Sequence, residues 1–262
     1  MHRSMVKNLI ISFHDYSRFS ASNYSNKNNP TISNFVIFCF SILKLYIIFM
    51  NKINTLRANL PKVPGILGKD EFFNSAVLVP LVFVDDEYHL LFEKRSANIK
   101  QGGEICFPGG RVEETDKSPI DTALRETFEE IGVSSESIKV IGKLDILFGP
   151  RGVLVEPIVA EVKIDSLDDL KIDKSEVEKA FLVPLSFFEM NEPEHFKIHS
   201  IVEHKCYNSS GKEEDLILPN NKGNDTYYKS IRDVLVYKTH GEVIWGITAR
   251  LVQEVISKLK GV

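Results

Sequence analysis

Three glutamates carry the first chemical signal in this chain. Glu126, Glu129 and Glu130 are spaced by three and four residues, so on a helix their carboxylates project from one side. Like charges placed this way repel one another weakly. A cation among them reverses that sign, and hard divalent metals such as Mg²⁺ favour several carboxylate oxygens together with water and phosphate oxygens. A solvated acidic face is the bland reading of an isolated Glu-x-x-Glu-Glu. The segment upstream shifts the balance. Gly109-Gly110 forms a loop whose backbone can approach closely and offer a carbonyl to a metal. Arg125 is expected to point away from the Glu129/Glu130 pair and to bond an acid of the loop, with Asp116 the natural candidate. Such a brace would hold loop against helix, and the three features together are far more specific than any one.

The elements that must position these residues are legible in the pattern. Ser75–Val84 and Tyr88–Lys94 read as strands around the turn Asp85-Asp86-Glu87, a hairpin. Gly102-Gly103 and Pro108-Gly109-Gly110 break the chain on either side of Glu104–Phe107. Ser118–Gly132 carries a full set of helix signals. Ser118 is an N-cap, Pro119 suits the first helical position, and Asp121 sits where a capping-box acid would. Ala123, Leu124, Phe128 and Ile131 form the expected apolar stripe, and Gly132 is the left-handed stop. Lys139–Phe148 and Val153–Ile164 alternate like strands. Ile231–Lys238 and Glu242–Trp245 read as late strands, and Thr248–Leu259 as a closing amphipathic helix. No internal repeat is visible. One α/β domain over residues 60–262 follows.

The stretch Gly110-Arg-Val-Glu-Glu-Thr-Asp116 … Arg125-Glu126-Thr-Phe-Glu129-Glu130-Ile-Gly132-Val133 resembles the Nudix box, G-x5-E-x7-R-E-U-x-E-E-x-G-U, with U a bulky apolar residue. Asp116 replaces the first Glu, one extra residue precedes Arg125, and Thr127 stands where a bulky apolar residue is usual. Upstream, Leu91-Phe-Glu-Lys-Arg95-Ser96-Ala97 … Gly103-Glu-Ile-Cys-Phe107-Pro108-Gly109-Gly110 is similar to the additional motif of coenzyme A pyrophosphatases, L-L-T-x-R-S-A … G-x3-F-P-G-G. Phe92 and Glu93 replace that motif's Leu-Thr. Ile244–Ala249 also resembles a segment near the end of those proteins.

The resemblance implies a Nudix-type α/β/α sandwich around a mixed sheet. It implies metal-dependent hydrolysis of the pyrophosphate bond of coenzyme A or its derivatives, giving 4′-phosphopantetheine and 3′,5′-ADP. Glu126, Glu129, Glu130 and the Gly109 carbonyl would hold Mg²⁺ or Mn²⁺, and Arg125 completes the catalytic set. Arg95, Gly109, Gly110 and Arg111 are the expected substrate contacts, the arginines because a 3′-phosphate needs a basic partner. The general base is Glu126 or a residue outside the box, for which Glu156, Asp225 and Glu242 are available. Two other functions stay open. One is hydrolysis of ADP-ribose or another nucleoside diphosphate derivative; the other is a catalytically silent Nudix fold that binds a ligand.

Composition sets the outer bounds. The chain has 262 residues, 43% hydrophobic and 26% charged, with net charge −4 and three cysteines. A packed core is within reach and global disorder is excluded. The charge argues against a general nucleic-acid binder and leaves a small molecule as the expected partner. Cys39, Cys106 and Cys206 are too few and too scattered for a disulfide framework. Oligomeric state is not written in the sequence.

Residues 1–49 differ from the rest. Arg3, Lys7, Arg18, Lys27 and Lys44 face the single acid Asp15, and the segment has neither Gly nor Glu. Residues 1–34 read as disordered, and 35–49 as a short apolar run broken by Lys44. A spanning helix wants about 20 apolar residues. Crowded Asn, Ile, Phe, Tyr and Lys suit an untranslated stretch ahead of a start at Met50, which predicts a cytoplasmic protein with no membrane contact. Membrane association through residues 35–49 and a disordered tail are the alternatives. His195 and His199, with His204 and Cys206 beyond, fit no metal motif; Pro193 suggests a loop. Cys106 is expected to pack rather than react, and Trp245 to lie in the core.

Overall fold

The computed structural model describes residues 30–203, 207–213, 227–239 and 241–261. The chain divides into two units, residues 1–66 and 67–262. In the first, helix α1 runs Pro30–Asn59. It takes in residues 30–34, expected in the aperiodic leader, and passes through Met50 without a break. No Gly interrupts it, and its only Pro stands at the start, where a missing N–H costs nothing. No described helix is long and apolar enough to cross a membrane. Residues 1–29, His204, Cys206 and Asp225 lie outside the described residues.

The second unit is built on a mixed sheet. Strands β1 (Phe73–Val84) and β2 (Glu87–Arg95) form the hairpin. Asp85 and Asp86 both take positive φ, 51° and 63°, the signature of a tight turn whose twist matches its strands. β3 (Ile105–Cys106) pairs with β2, and β4 (Gly109–Arg111) with β1. Helix α2 (Pro119–Ile131) then leads to β5 (Ile138–Lys143), β6 (Leu147–Phe148) and β7 (Val153–Val162). β7 returns parallel to β1, which among the described strands makes the sheet mixed. β8 (Val177–Pro184) closes on β2. After the short helix α3 (Leu185–Met190), β9 (Glu194–Glu203), β10 (Tyr227–Lys238) and β11 (Val243–Trp245) make a second, antiparallel sheet, and helix α4 (Gly246–Lys260) ends the unit.

Strand alternation sends successive side chains of β1 and β2 to opposite faces. Ala76, Leu78 and Leu91 pack under α2 against Ala123 and Ile131. Val79, Leu90 and Phe92 face the other way, toward Phe188, Tyr237, Ile244 and α4. Phe92 stacks on Phe107 with centroids 4.8 Å apart and on Phe181 at 5.7 Å. The layers are therefore helix, sheet, then helix with a small sheet, an α/β/α sandwich as expected.

Three local expectations need correction. The segment after Pro193 is strand β9, not loop; four residues along a strand separate His195 and His199 by about 13 Å, so they cannot share a metal. Trp245 is 39% exposed and lines an apolar groove with Phe196, Ile198, Val234, Val236 and Val243; it falls on the outward phase of β11, while its neighbour Ile244 takes the core. Phe128 is 58% exposed. The buried stripe of α2 runs through Thr122, Ala123, Thr127, Glu130 and Ile131 instead. Thr127 is tolerated there because its hydroxyl donates to the Ala123 carbonyl at 2.6 Å.

Candidate active site

The helix that carries the glutamates is set by its caps. Ser118 stands in extended backbone and its side chain accepts from the Asp121 N–H, Pro119 opens the first turn, and Gly132 closes the last at φ 73° with its N–H on the Phe128 carbonyl. The caps fix where the helix begins and stops, and therefore which turn faces the loop Pro108–Arg111.

Two adjacent glycines let loop and helix meet. A side chain at Gly110 would place its Cβ 2.4 Å from the Glu126 carboxyl. One at Gly109, where φ is 152°, would meet the Ala76 carbonyl oxygen at 2.4 Å. At Gly109 only a residue without Cβ fits, and at Gly110 a Cβ would displace the Glu126 carboxyl. The Gly109 N–H donates to Glu130 Oε2 at 2.8 Å, which ties the loop to the helix from the other side.

Arg125 provides the brace. Its Nε and Nη2 donate to the two oxygens of Asp116 at 3.1 and 3.0 Å, and Nη2 also reaches the Arg111 carbonyl at 3.1 Å. The Thr122 hydroxyl and the Glu113 N–H complete the Asp116 carboxylate. This two-pronged bond to Arg125 holds the Asp116 carboxyl well below the usual carboxylate range. The shorter acid and the extra loop residue thus make a sound clamp. One expectation fails, however. Arg125 does not point away from the glutamates: Nη1 donates to Glu126 Oε1 at 2.8 Å and to Glu129 Oε2 at 3.0 Å. A guanidinium has five N–H donors in a fixed fork, so it serves loop and helix together.

Burial grades the three glutamates. Glu130 is 2% exposed, Glu126 is half-buried, and Glu129 lies in solvent. Burial raises Glu130 above the usual carboxylate range, and the nearby charge of Glu93 adds to it against the Gly109 N–H. Glu126 is raised as well, again chiefly by burial and against the pull of Arg125. Glu93, which the sequence marks only as a departure from the motif, joins the cluster. It is fully buried on β2, with its carboxyl against Glu130 and the Cys106 thiol on Oε1 at 3.2 Å. The available signal was an acid on the inward phase of an otherwise apolar strand. Cys106 itself is unsuited to nucleophilic work, since burial and the neighbouring Glu93 push its thiol well above the ordinary range.

The remaining candidates separate. Arg95 stands near Glu93, Cys106 and Glu130, with Nε on the Lys100 carbonyl at 3.4 Å. Arg111 lies one residue out of phase with Gly110, on the opposite sheet face from Glu126, with its guanidinium 5.7 Å from the Phe73 ring centroid. Ala76 pairs with both Gly110 and Glu156, so Glu156 shares the row and face of the loop two strands away. Lys69 holds it at 2.8 Å. Glu242 is tied to Lys179 at 2.7 Å and to Lys94 at 3.4 Å.

Among the described residues no three acid, His or Cys side chains converge as a finished metal cage; Arg125 Nη1 stands between Glu126 and Glu129. The donor set nevertheless fits a hard dication in kind. It is made of oxygens alone, it is anionic, and burial has raised two of its members so that ionising them asks for a compensating positive charge. Release of Nη1 would leave both bonds from Arg125 to Asp116 in place.

Comparison with known proteins places the chain in one family. The NUDIX domain family matches residues 73–201. A Nudix hydrolase, NudL, of Photorhabdus laumondii is 37% identical over 135 residues, covering 51% of this chain and 70% of that protein. Nudix hydrolase 3 of Caenorhabditis elegans is 39% identical over 136 residues, but this chain spans only 56% of its length. A solved MutT/nudix family protein from Enterococcus faecalis aligns at 16% identity with a TM-score of 0.40, over 80% of this chain and 69% of that one. The chain belongs to the Nudix hydrolase family.

Proposed function

We propose that the protein is a divalent-metal-dependent pyrophosphohydrolase acting on a nucleoside diphosphate derivative, with coenzyme A or its acyl derivatives as the substrate. The observation that carries this reading is the loop Gly109–Gly110, clamped between Glu126 and Glu130 and braced by Arg125 on Asp116. A diphosphate bridge hydrolyses slowly because its anionic oxygens repel the nucleophile. Glu126, Glu129, Glu130 and the Gly109 carbonyl would hold Mg²⁺ or Mn²⁺, which supplies charge neutralisation and a bound water of lowered pKa. The protein's own residues do the rest. Asp116 and Arg125 keep the loop at a fixed distance from the helix, so that the phosphates meet preset donors. Gly110 leaves room for the Glu126 carboxylate, whose raised proton affinity suits it to take the proton of an attacking water. Arg95, beside this cluster, is the basic partner for a substrate phosphate.

Coenzyme A is favoured by the motif Leu91–Gly110 with Arg95, Ser96 and Ala97 in place. Phe92 and Glu93 depart from that motif, and on this observation a second reading stands: another nucleoside diphosphate derivative such as ADP-ribose. The full chain is to be incubated with coenzyme A and, separately, with ADP-ribose in Mg²⁺ or Mn²⁺, with products resolved by chromatography. Release of 4′-phosphopantetheine and 3′,5′-ADP supports the first reading, and AMP with ribose phosphate the second. Glu129→Gln should abolish turnover while the circular dichroism spectrum stays that of the parent. Full activity in this variant would overturn the assignment.

A further inference from the structure

Glu93 is chemically out of place for a strand interior. It has no exposed surface, and its paired residues are Cys106 on β3 and Ala180 on β8. A buried carboxylate is costly unless donors or a cation compensate it. Here compensation is thin. Oε1 takes only the Cys106 thiol, a weak donor, at 3.2 Å. Oε2 is buried and has no hydrogen-bond partner.

The neighbouring carboxyl is that of another acid, Glu130. Once both acids are ionised, Glu130 offers only acceptors, and its Oε2 already takes the Gly109 N–H. Two acids in this position must share a proton or take up positive charge beside them. The Arg95 guanidinium is close, but its Nε is turned to the Lys100 carbonyl. Position is not free to relax either. Glu93 is held by sheet pairing to Cys106, three residues before Gly109, so the strand aims its carboxyl at the place where loop and helix meet.

We propose that Glu93 is a fourth carboxylate of the divalent cation site, reaching it from strand β2 beside Glu130. This rests on the metal-dependent reading given above and deepens it. The box places three acids on the helix; the sheet adds the one that no box residue predicts. Buried behind Glu130, Glu93 gives the ion a donor that solvent cannot compete for, and the ion gives the orphaned oxygen its missing partner.

The test measures Mn²⁺ binding to the full chain without substrate, by the electron paramagnetic resonance signal of free Mn²⁺. Glu93→Gln keeps shape and removes charge; Glu93→Thr installs the residue of the coenzyme A motif. Both should weaken Mn²⁺ binding at least tenfold. Their thermal unfolding without added metal should be unchanged or shifted upward, because a buried charge is gone. Either folded variant binding Mn²⁺ as tightly as the parent would overturn the proposal, since a glutamine that substitutes fully means Glu93 acts as a neutral hydrogen-bonding group. Loss of fold in both variants would assign Glu93 to the core and overturn it too. Glu129→Gln separates the two levels. If it loses Mn²⁺ while Glu93→Gln keeps it, only the Glu93 assignment falls; if the parent itself binds no Mn²⁺, the metal-dependent function falls with it.

Discussion

Alternate residues of one strand show two different uses of burial. Along β2, Leu90 and Phe92 enter a layer of aromatic and aliphatic side chains between the sheet and α4. Leu91 and Glu93 enter the layer under α2, where Glu130 is also buried. Both layers exclude water and gain stability from buried apolar side chains, yet only the second also encloses carboxylates. In the second, exclusion raises the proton affinity of carboxylates and leaves the Glu93 oxygen without a donor. The contrast separates a face that is apolar throughout from one that combines an apolar core with buried carboxylates.

The sharpest way to break this comparison is to injure the apolar layer. Phe92→Ala removes a ring stacked on both Phe107 and Phe181 and should cost about 3–5 kcal/mol in urea unfolding. A loss below 1 kcal/mol would mean that this layer does not dominate stability. Next in size is a change on the polar face that acts on chemistry. Gly110→Ala pushes against the Glu126 carboxyl, the far end of a flexible side chain. Unfolding should change little, whereas turnover should fall by about a hundredfold through misplacement of Glu126. Equal damage to both quantities would erase the distinction between the faces.

Asp116→Asn tests the clamp and its pH dependence. The Asp116 side chain is 5% exposed, and losing the charged pair should destabilise by about 1–3 kcal/mol near neutrality. Because Arg125 lowers the Asp116 pKa on folding, its contribution is complete above the ordinary aspartate range. It disappears as the pH falls through the lowered value. The stability gap between parent and variant should therefore close in acid, and a gap constant with pH would sink the ion-pair account. Smallest of all, Thr127→Val deletes a hydroxyl together with the bond it donates to the Ala123 carbonyl in a fully buried site. Thermal unfolding should move by less than about 1 kcal/mol in either direction, since the donor and its need for an acceptor vanish together.

Much of this was legible in the chain. Ser118, Pro119 and Gly132 announce α2 because caps are local: each depends on backbone conformation and a partner within four residues. The hairpin at Asp85-Asp86 and the glycine loop are local in the same sense. The failures came where phase or distant partners decide. By residue type Phe128 belongs to the buried stripe, but the face of α2 that meets the sheet runs through Thr127 and Glu130 instead. Strand β9 was hidden because Glu194–Glu203 alternates charged, polar and apolar residues, and only pairing with β10 makes them a strand. Trp245 looked interior by type, yet its phase on β11 turns it outward.

Sequence alone determined the order of the parts: the glycine loop, the acid that answers Arg125, and three glutamates at helical spacing. Those relations depend on short-range geometry, which residue type and separation specify. Tertiary structure decided which of those acids would be stripped of water, that Arg125 would bridge Glu126 and Glu129 as well as clamp Asp116, and that Glu93 on strand β2 would meet Glu130 on helix α2. Charge in a protein depends on its neighbours through space and on exclusion of solvent, and neither quantity exists until sheet and helix have closed on one another.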